Sequence, residues 1–182
     1  MKLIYQIPDK LYYIQQFLSY PTYKKLHYDV FKSNLLNLVS TKDDWDSNVP
    51  DLLKFYKNSP DRTLLNSNHP ILKTFETLLN LNPFVKIKQK FHKFLVHSMK
   101  DGAGINWHND VGYEYGITYY INRRWNPQFG GEFLFKDENS NGFIPLVGNS
   151  LLIVKTPLLH KVTPVMNPLV PRKTIQIFIP NA

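Results

Sequence analysis

A chain of 182 residues that is 43% apolar and 14% aromatic can bury a proper core, so disorder is excluded and a single domain is expected. It contains no cysteine, which rules out disulfides and thiolate metal centres and leaves nitrogen and oxygen as the only strong metal donors. The net charge of +8 is uneven: residues 1–100 carry fifteen basic and eight acidic side chains, and residues 101–182 carry seven and six.

At the start of the chain, Met1–Pro8 lacks a long apolar run, and no stretch reaches transmembrane length. A soluble, cytoplasmic protein without a signal peptide is expected. Asp9 is placed to cap a short helix whose Leu11, Ile14, Phe17 and Leu18 share a face. Residues 40–68 are polar and turn-rich, with a weaker helical segment at Leu52–Tyr56. Pro70 opens a second helix with a stripe of Ile71, Leu72, Phe75, Leu78 and Leu79. Next, Lys86, Lys88 and Lys90 alternate with Val85, Ile87 and Gln89. That is the pattern of a half-buried strand with lysines in water; an anion-binding surface is the functional alternative.

All eight glycines fall between Gly102 and Gly148, and the pattern changes with them. Strands are expected near 85–98, 104–110, 115–122, 131–136, 142–146, 150–155, 159–166 and 172–180. Turns are marked by Asp101-Gly102, Asn126-Pro127, Gly130-Gly131, Asn141-Gly142 and Gly148-Asn149. Short strands without intervening helices suit a double-sheet jelly roll, mainly β with supporting N-terminal helices on one sheet. The single domain 1–182 would then divide into mainly helical support (1–84) and a jelly-roll core (85–181). Strand alternation puts Arg172, Thr174, Gln176 and Phe178 on one face, opposite Ile175, Ile177 and Ile179; Thr118 and Tyr120 likewise oppose Ile117, Tyr119 and Ile121.

The residues that carry chemistry lie in this second part. On a strand, His108 and Asp110 point the same way and can grip one ion, with Asn109 turned outward. His160 follows fifty residues later. Two imidazoles and a carboxylate make a three-ligand set that leaves coordination positions open, as in non-haem iron(II) oxygenases. Arg172, beyond the distal histidine, suits a carboxylate. His27, His69, His92 and His97 are expected to be structural or exposed.

As an ordered set, Trp107-His108-Asn109-Asp110, Ile117-Thr118-Tyr119-Tyr120-Ile121-Asn122, Trp125, Gly130-Gly131-Glu132-Phe133, His160-Lys161-Val162-Thr163-Pro164-Val165 and Arg172-Lys173-Thr174-Ile175 resemble the prolyl 4-hydroxylase-like branch of iron(II)/2-oxoglutarate-dependent dioxygenases. The resemblance covers about residues 85–180. It implies a double-stranded β-helix (jelly-roll) fold with His108, Asp110 and His160 as Fe(II) ligands, Arg172 as partner of the distal 2-oxoglutarate carboxylate, and Tyr120 as a second contact to that co-substrate. It also implies dioxygen as co-substrate, with ascorbate as a reductant. Two departures stand out. Ser98 occupies the position, ten before the first histidine, where many relatives carry tyrosine. The His160–Arg172 segment is long, shaped by Pro164, Pro168 and Pro171. Lys173 is the rival anchor, but the phase of Arg172 and its two-pronged guanidinium favour the arginine.

The activity implied is hydroxylation of a C–H bond with release of succinate and CO2, on a prolyl residue of a peptide or protein. A free amino acid or small metabolite is the alternative substrate. Nucleic-acid demethylation is disfavoured, because Phe178 stands where that branch has a second arginine. A non-catalytic metal-binding jelly roll is the non-enzyme reading. Tyr113, Tyr115, Arg123, Arg124 and Trp125 are candidates for a substrate rim. Oligomeric state is not encoded in these patterns.

Overall fold

The structure, a computed structural model, describes residues 1–32, 39–41, 52–53, 56–64, 70–85, 87 and 94–181. The lysines of the 86–90 segment, His69, His92 and part of the Leu52–Tyr56 segment lie outside these residues. Val85 and Ile87 are buried, against the two helices and the sheet beneath them.

In chain order the elements are β1 (Lys2–Ile7), β2 (Leu11–Gln15), α1 (Tyr20–Lys32), β3 (Val39–Ser40), β4 (Asp61–Leu64), α2 (Pro70–Asn80), β5 (Phe94–Met99), β6 (Ile105–His108), β7 (Tyr113–Tyr120), β8 (Phe133–Lys136), β9 (Asn141–Ile144), β10 (Ser150–Lys155), β11 (Leu159–Val162) and β12 (Arg172–Pro180). They form an eight-stranded sheet in the order β1-β2-β10-β7-β12-β5-β4-β3 and a four-stranded sheet in the order β6-β11-β8-β9. All the strand pairings are antiparallel. This is the jelly roll expected from the second half of the sequence.

The first segment departs from expectation. Residues 9–18 form no helix; β1 and β2 make a hairpin that turns at Pro8-Asp9-Lys10, with Asp9 at a φ of 60°. Leu11–Ile14 are buried without a break. Tyr12 and Ile14 face the helices, while Leu11 and Tyr13 face the other sheet. Burial on both faces needs strand alternation, which a four-residue apolar run cannot distinguish from one turn of a helix. The N-terminal part is thus only partly helical support: it supplies β1–β4 of the large sheet. The first helix starts later, after Ser19, and presents Tyr23, Leu26 and Val30 as its buried stripe. α2 follows the expected stripe.

Burial comes in two layers. Both helices cover the outer face of the large sheet, where Phe75 and Phe17 meet Tyr119 with Ile117, Ile121, Ile175, Ile177 and Ile179. Between the sheets, Leu11, Tyr13, Tyr120 and Leu152 meet Phe133, Phe135 and Ile144. The alternating phase read from β7 and β12 therefore sorts side chains into a helix-facing and an inter-sheet set. The inter-sheet set contains the chemistry.

Candidate metal and co-substrate site

His108 is the last residue of β6 and His160 lies on β11, directly opposite it in the antiparallel register. Their rings are 4.2 Å apart. β6 ends two residues earlier than expected, so Asp110 sits in the following turn rather than on the strand. Its carboxylate still returns to the same side, with Oδ1 3.8 Å from His108 Nε2 and Oδ2 3.6 Å from His160 Nε2. One donor atom from each of the three residues lies within 4.8 Å of the other two.

The imidazoles are oriented for ligation. His108 Nδ1 is 2.7 Å from the Asn106 carbonyl, and His160 Nδ1 is 2.7 Å from that of Leu158. A carbonyl only accepts, so each Nδ1 carries the proton and each Nε2 lone pair faces Asp110. His160 is also stacked on Phe133 at 4.9 Å. Burial, then the nearby His108, pulls the His160 pKa down to about 4 against the opposing pull of Asp110. It is neutral near pH 7, the state a metal needs.

Gly116 gives the carboxylate its room. A Cβ there would stand 2.8 Å from Asp110 Oδ2, so this strand glycine marks a close approach. Gly116→Ala is expected to push Asp110 out of line and lower metal affinity roughly tenfold, with little loss of fold; titration of the variant with iron(II) checks it.

Arg172 begins β12 and points between the sheets, almost fully buried. Its Nε donates to the Gly131 carbonyl at 2.9 Å, and its Nη1 meets Met99 Sδ at 3.2 Å. Among the described residues it forms no ion pair with a carboxylate. Its guanidinium lies 5.4 Å from the centre of the Tyr120 ring, and among the described residues the fully buried Tyr120 hydroxyl has no hydrogen-bond partner. Burial raises that tyrosine's pKa, so the hydroxyl stays protonated and able to donate. A charge and a hydroxyl left in this state fit a bound carboxylate, which would take a bond from each. Gly131, at a φ of +78°, lets the backbone pass over the guanidinium, since a Cβ would sit 2.8 Å from Arg172 Cδ.

Lys173 goes the other way: its Nζ donates to Val30 O on α1 and covers the Phe31 ring. Ser98 pairs with Lys173 and shares its outward side, so it does not face Arg172. The residue opposite Arg172 is Met99. Between Arg172 and the mouth, Thr118 Oγ1 donates to Gln176 Oε1, and Gln176 Nε2 to Thr174 Oγ1. At the mouth, the Tyr113 ring packs tilted against Phe178 at 4.8 Å, and its backbone N–H donates to Asp110 O. The sequence reading missed Met99 and Gly116. Continuing the β5 phase opposite Arg172, and noting a glycine within a strand two residues from Thr118, would have found both.

The other rim candidates scatter. Tyr115 is buried among the helix-facing residues. Arg123 donates to the Tyr20 hydroxyl on α1, and Arg124 joins it in a groove on the helical side. Trp125 is half-buried between two inter-sheet clusters, with Nε1 bonded to Gly130 O. Of these candidates Tyr113 alone packs at the metal end: strict alternation would give it the face of Tyr115, but the β7–β12 register shifts between Ile179 and Pro180, and its ring meets Phe178.

His97, on β5, is buried, and burial followed by the charges of Arg172 and Arg62 pulls its pKa down to about 3. Its folded pKa lies below the unfolded value near 6.5. Stability is therefore fully present above about pH 6.5 and lost as pH falls toward 3, with a slope of about 1.4 kcal/mol per pH unit from this residue. Urea titrations of the metal-free protein at several pH values should show this slope, and His97→Gln should flatten it.

Residues 94–180 match the family model of the 2OG-Fe(II) oxygenase superfamily. The chain carries a 2OG-Fe(II) oxygenase domain. Solved structures share the fold at low identity. A Trichoplax adhaerens prolyl hydroxylase, solved with a hypoxia-inducible-factor oxygen-degradation-domain peptide, has a TM-score of 0.70 at 16% identity, over 93% of this chain and 83% of that one. A Pseudomonas putida prolyl-4-hydroxylase has a TM-score of 0.67 at 13% identity, over 95% and 93%. The collagen prolyl hydroxylase of Paramecium Bursaria Chlorella virus-1, solved with 2OG, has a TM-score of 0.61 at 15% identity, over 93% and 94%. Among curated proteins none matches the chain by sequence. The domain is that of a 2-oxoglutarate-dependent dioxygenase, and Fe(II) and 2-oxoglutarate are the groups its family implies. None of the described helices is long and apolar enough to cross a membrane.

Proposed function

We propose that the chain hydroxylates a prolyl residue of a peptide or protein, with His108, Asp110 and His160 holding Fe(II), and Arg172 with Tyr120 holding the distal carboxylate of 2-oxoglutarate. The observation that carries the assignment is the buried Arg172 guanidinium, which among the described residues has no carboxylate partner, beside a tyrosine hydroxyl that has no hydrogen-bond partner among them. A buried charge in that state costs several kcal/mol unless a ligand compensates it. Bound iron(II) and 2-oxoglutarate supply the oxidising chemistry, with succinate and CO2 as by-products.

The protein's own residues orient and enclose. The Asn106 and Leu158 carbonyls fix both imidazoles with Nε2 toward the shared centre. Asp110 supplies the anionic donor, with its carboxylate seated over Gly116. Arg172 and Tyr120 set where the co-substrate's far end stops. The aromatic pair Tyr113–Phe178 beside Asp110 offers an apolar wall suited to a saturated ring such as a prolyl side chain. That a solved structure of similar fold holds a peptide supports a polypeptide substrate. The test is to incubate the iron-loaded protein with 2-oxoglutarate and proline-containing peptides, free amino acids or methylated oligonucleotides. The proposal expects a gain of one oxygen on a prolyl peptide. Oxygen gained only on free amino acids, or methyl loss only from oligonucleotides, overturns the substrate; absence of succinate in every arm overturns the site assignment.

A further inference from the structure

Arg123 and Arg124, displaced from the metal end, belong to a second feature. With Asn122, His27, Phe31 and Val170 they line a groove of about 430 Å³ between α1 and the loops that follow β7 and precede β12. Lys173 points to the helical side of the large sheet, as this groove does, and Arg172 to the opposite side. Its floor is braced: Asn122 Nδ2 donates to Pro171 O, Asn122 Oδ1 accepts from Lys173 N, and Tyr23 on α1 donates to Ile121 O. Both arginines are exposed, and among the described residues no carboxylate forms an ion pair with either.

We propose that this groove anchors an acidic polypeptide segment, with Arg123 and Arg124 gripping its carboxylates and Val170 and Leu169 contacting an apolar neighbour. Two guanidiniums on a braced loop provide forked donors matched to carboxylate geometry. The lip is apolar, since Leu169 is 86% and Val170 42% exposed. A single nucleic-acid strand needs open aromatic faces on which bases stack. Phe31 within the groove has none to give, since His27 stacks on it at 4.6 Å and Lys173 Nζ sits 4.6 Å over its ring; Tyr20 at the edge, 61% exposed, is a single ring with the Arg123 guanidinium 6.0 Å over it. Charge with an apolar edge and one partly covered ring, where a strand would stack successive bases, fits an acidic peptide. This site is independent of what the metal end hydroxylates.

Fluorescence anisotropy with a labelled glutamate-rich peptide carrying one leucine tests it. The peptide should bind in a salt-dependent manner, its glutamine analogue should not, and Arg123→Glu with Arg124→Glu should weaken binding at least about tenfold. Lys136→Glu with Lys155→Glu makes the same change in net charge on remote strands and should leave binding within about twofold. Thermal melting confirms that both double variants are folded, and Arg123→Gln with Arg124→Gln gives the same reading should charge reversal unfold the chain. Equal weakening in the remote variant, unchanged binding in both arginine variants, or tighter arginine-dependent binding of a single-stranded oligonucleotide would each overturn the proposal.

Discussion

His108→Ala is expected to lose iron(II) binding by more than about 100-fold, and succinate formation with it, while the fold survives. Two donors would remain of three, and the loss of a direct ligand exceeds the 10–100-fold typical of its supporting contacts. The fold survives because His108 is the last residue of its strand, and its ring bond is to the carbonyl of Asn106, a residue of the same strand. Isothermal titration with iron(II) and a succinate assay, run on one preparation, separate binding from turnover. Succinate formed at the parent rate by a folded His108→Ala protein would end the ligand assignment.

Arg172→Met separates function from stability in the opposite direction. On the proposed assignment, affinity for 2-oxoglutarate falls by a few kcal/mol, on the order of 100-fold or more, because a desolvated charge pair loses one member. The unliganded protein should melt no earlier than the parent. The guanidinium is buried with a carbonyl and a thioether for partners, and replacing such a charge with an apolar side chain of similar length is commonly neutral or stabilising. Methionine forfeits the bond to Gly131 O, about 1 kcal/mol, which offsets part of the gain. Tyr120→Phe should behave alike on a smaller scale, since its hydroxyl has no partner to lose. A severely destabilised Arg172→Met with unaltered co-substrate affinity would instead make the arginine a structural strut.

The second half of the chain was legible because its strands keep strict alternation. Isoleucines 175, 177 and 179 against Arg172 and Gln176 reveal both faces of β12, and so which basic residue turns inward. The first half was less so. Leu11–Ile14 is apolar on every face, which removes the period that distinguishes strand from helix, and only the partners β1 and β10 decide it. Strands as short as Val39–Ser40 and Asp61–Leu64 exist because β5 offers an edge to extend. Contiguity also misled: Arg123–Trp125 follow Tyr120 closely, yet a strand end redirects the chain, sending both arginines to a groove on the helical side and Trp125 between the sheets.

The two histidines ride on the four-stranded sheet and the guanidinium on the eight-stranded one, so the reach between them is a layer thickness rather than a property of any loop. Phe133, Phe135, Tyr13 and Leu152 act as the shims that fix it. On the proposed assignment, bulk trimmed from those shims would shorten the gauge, and the length of keto-diacid admitted would change with it.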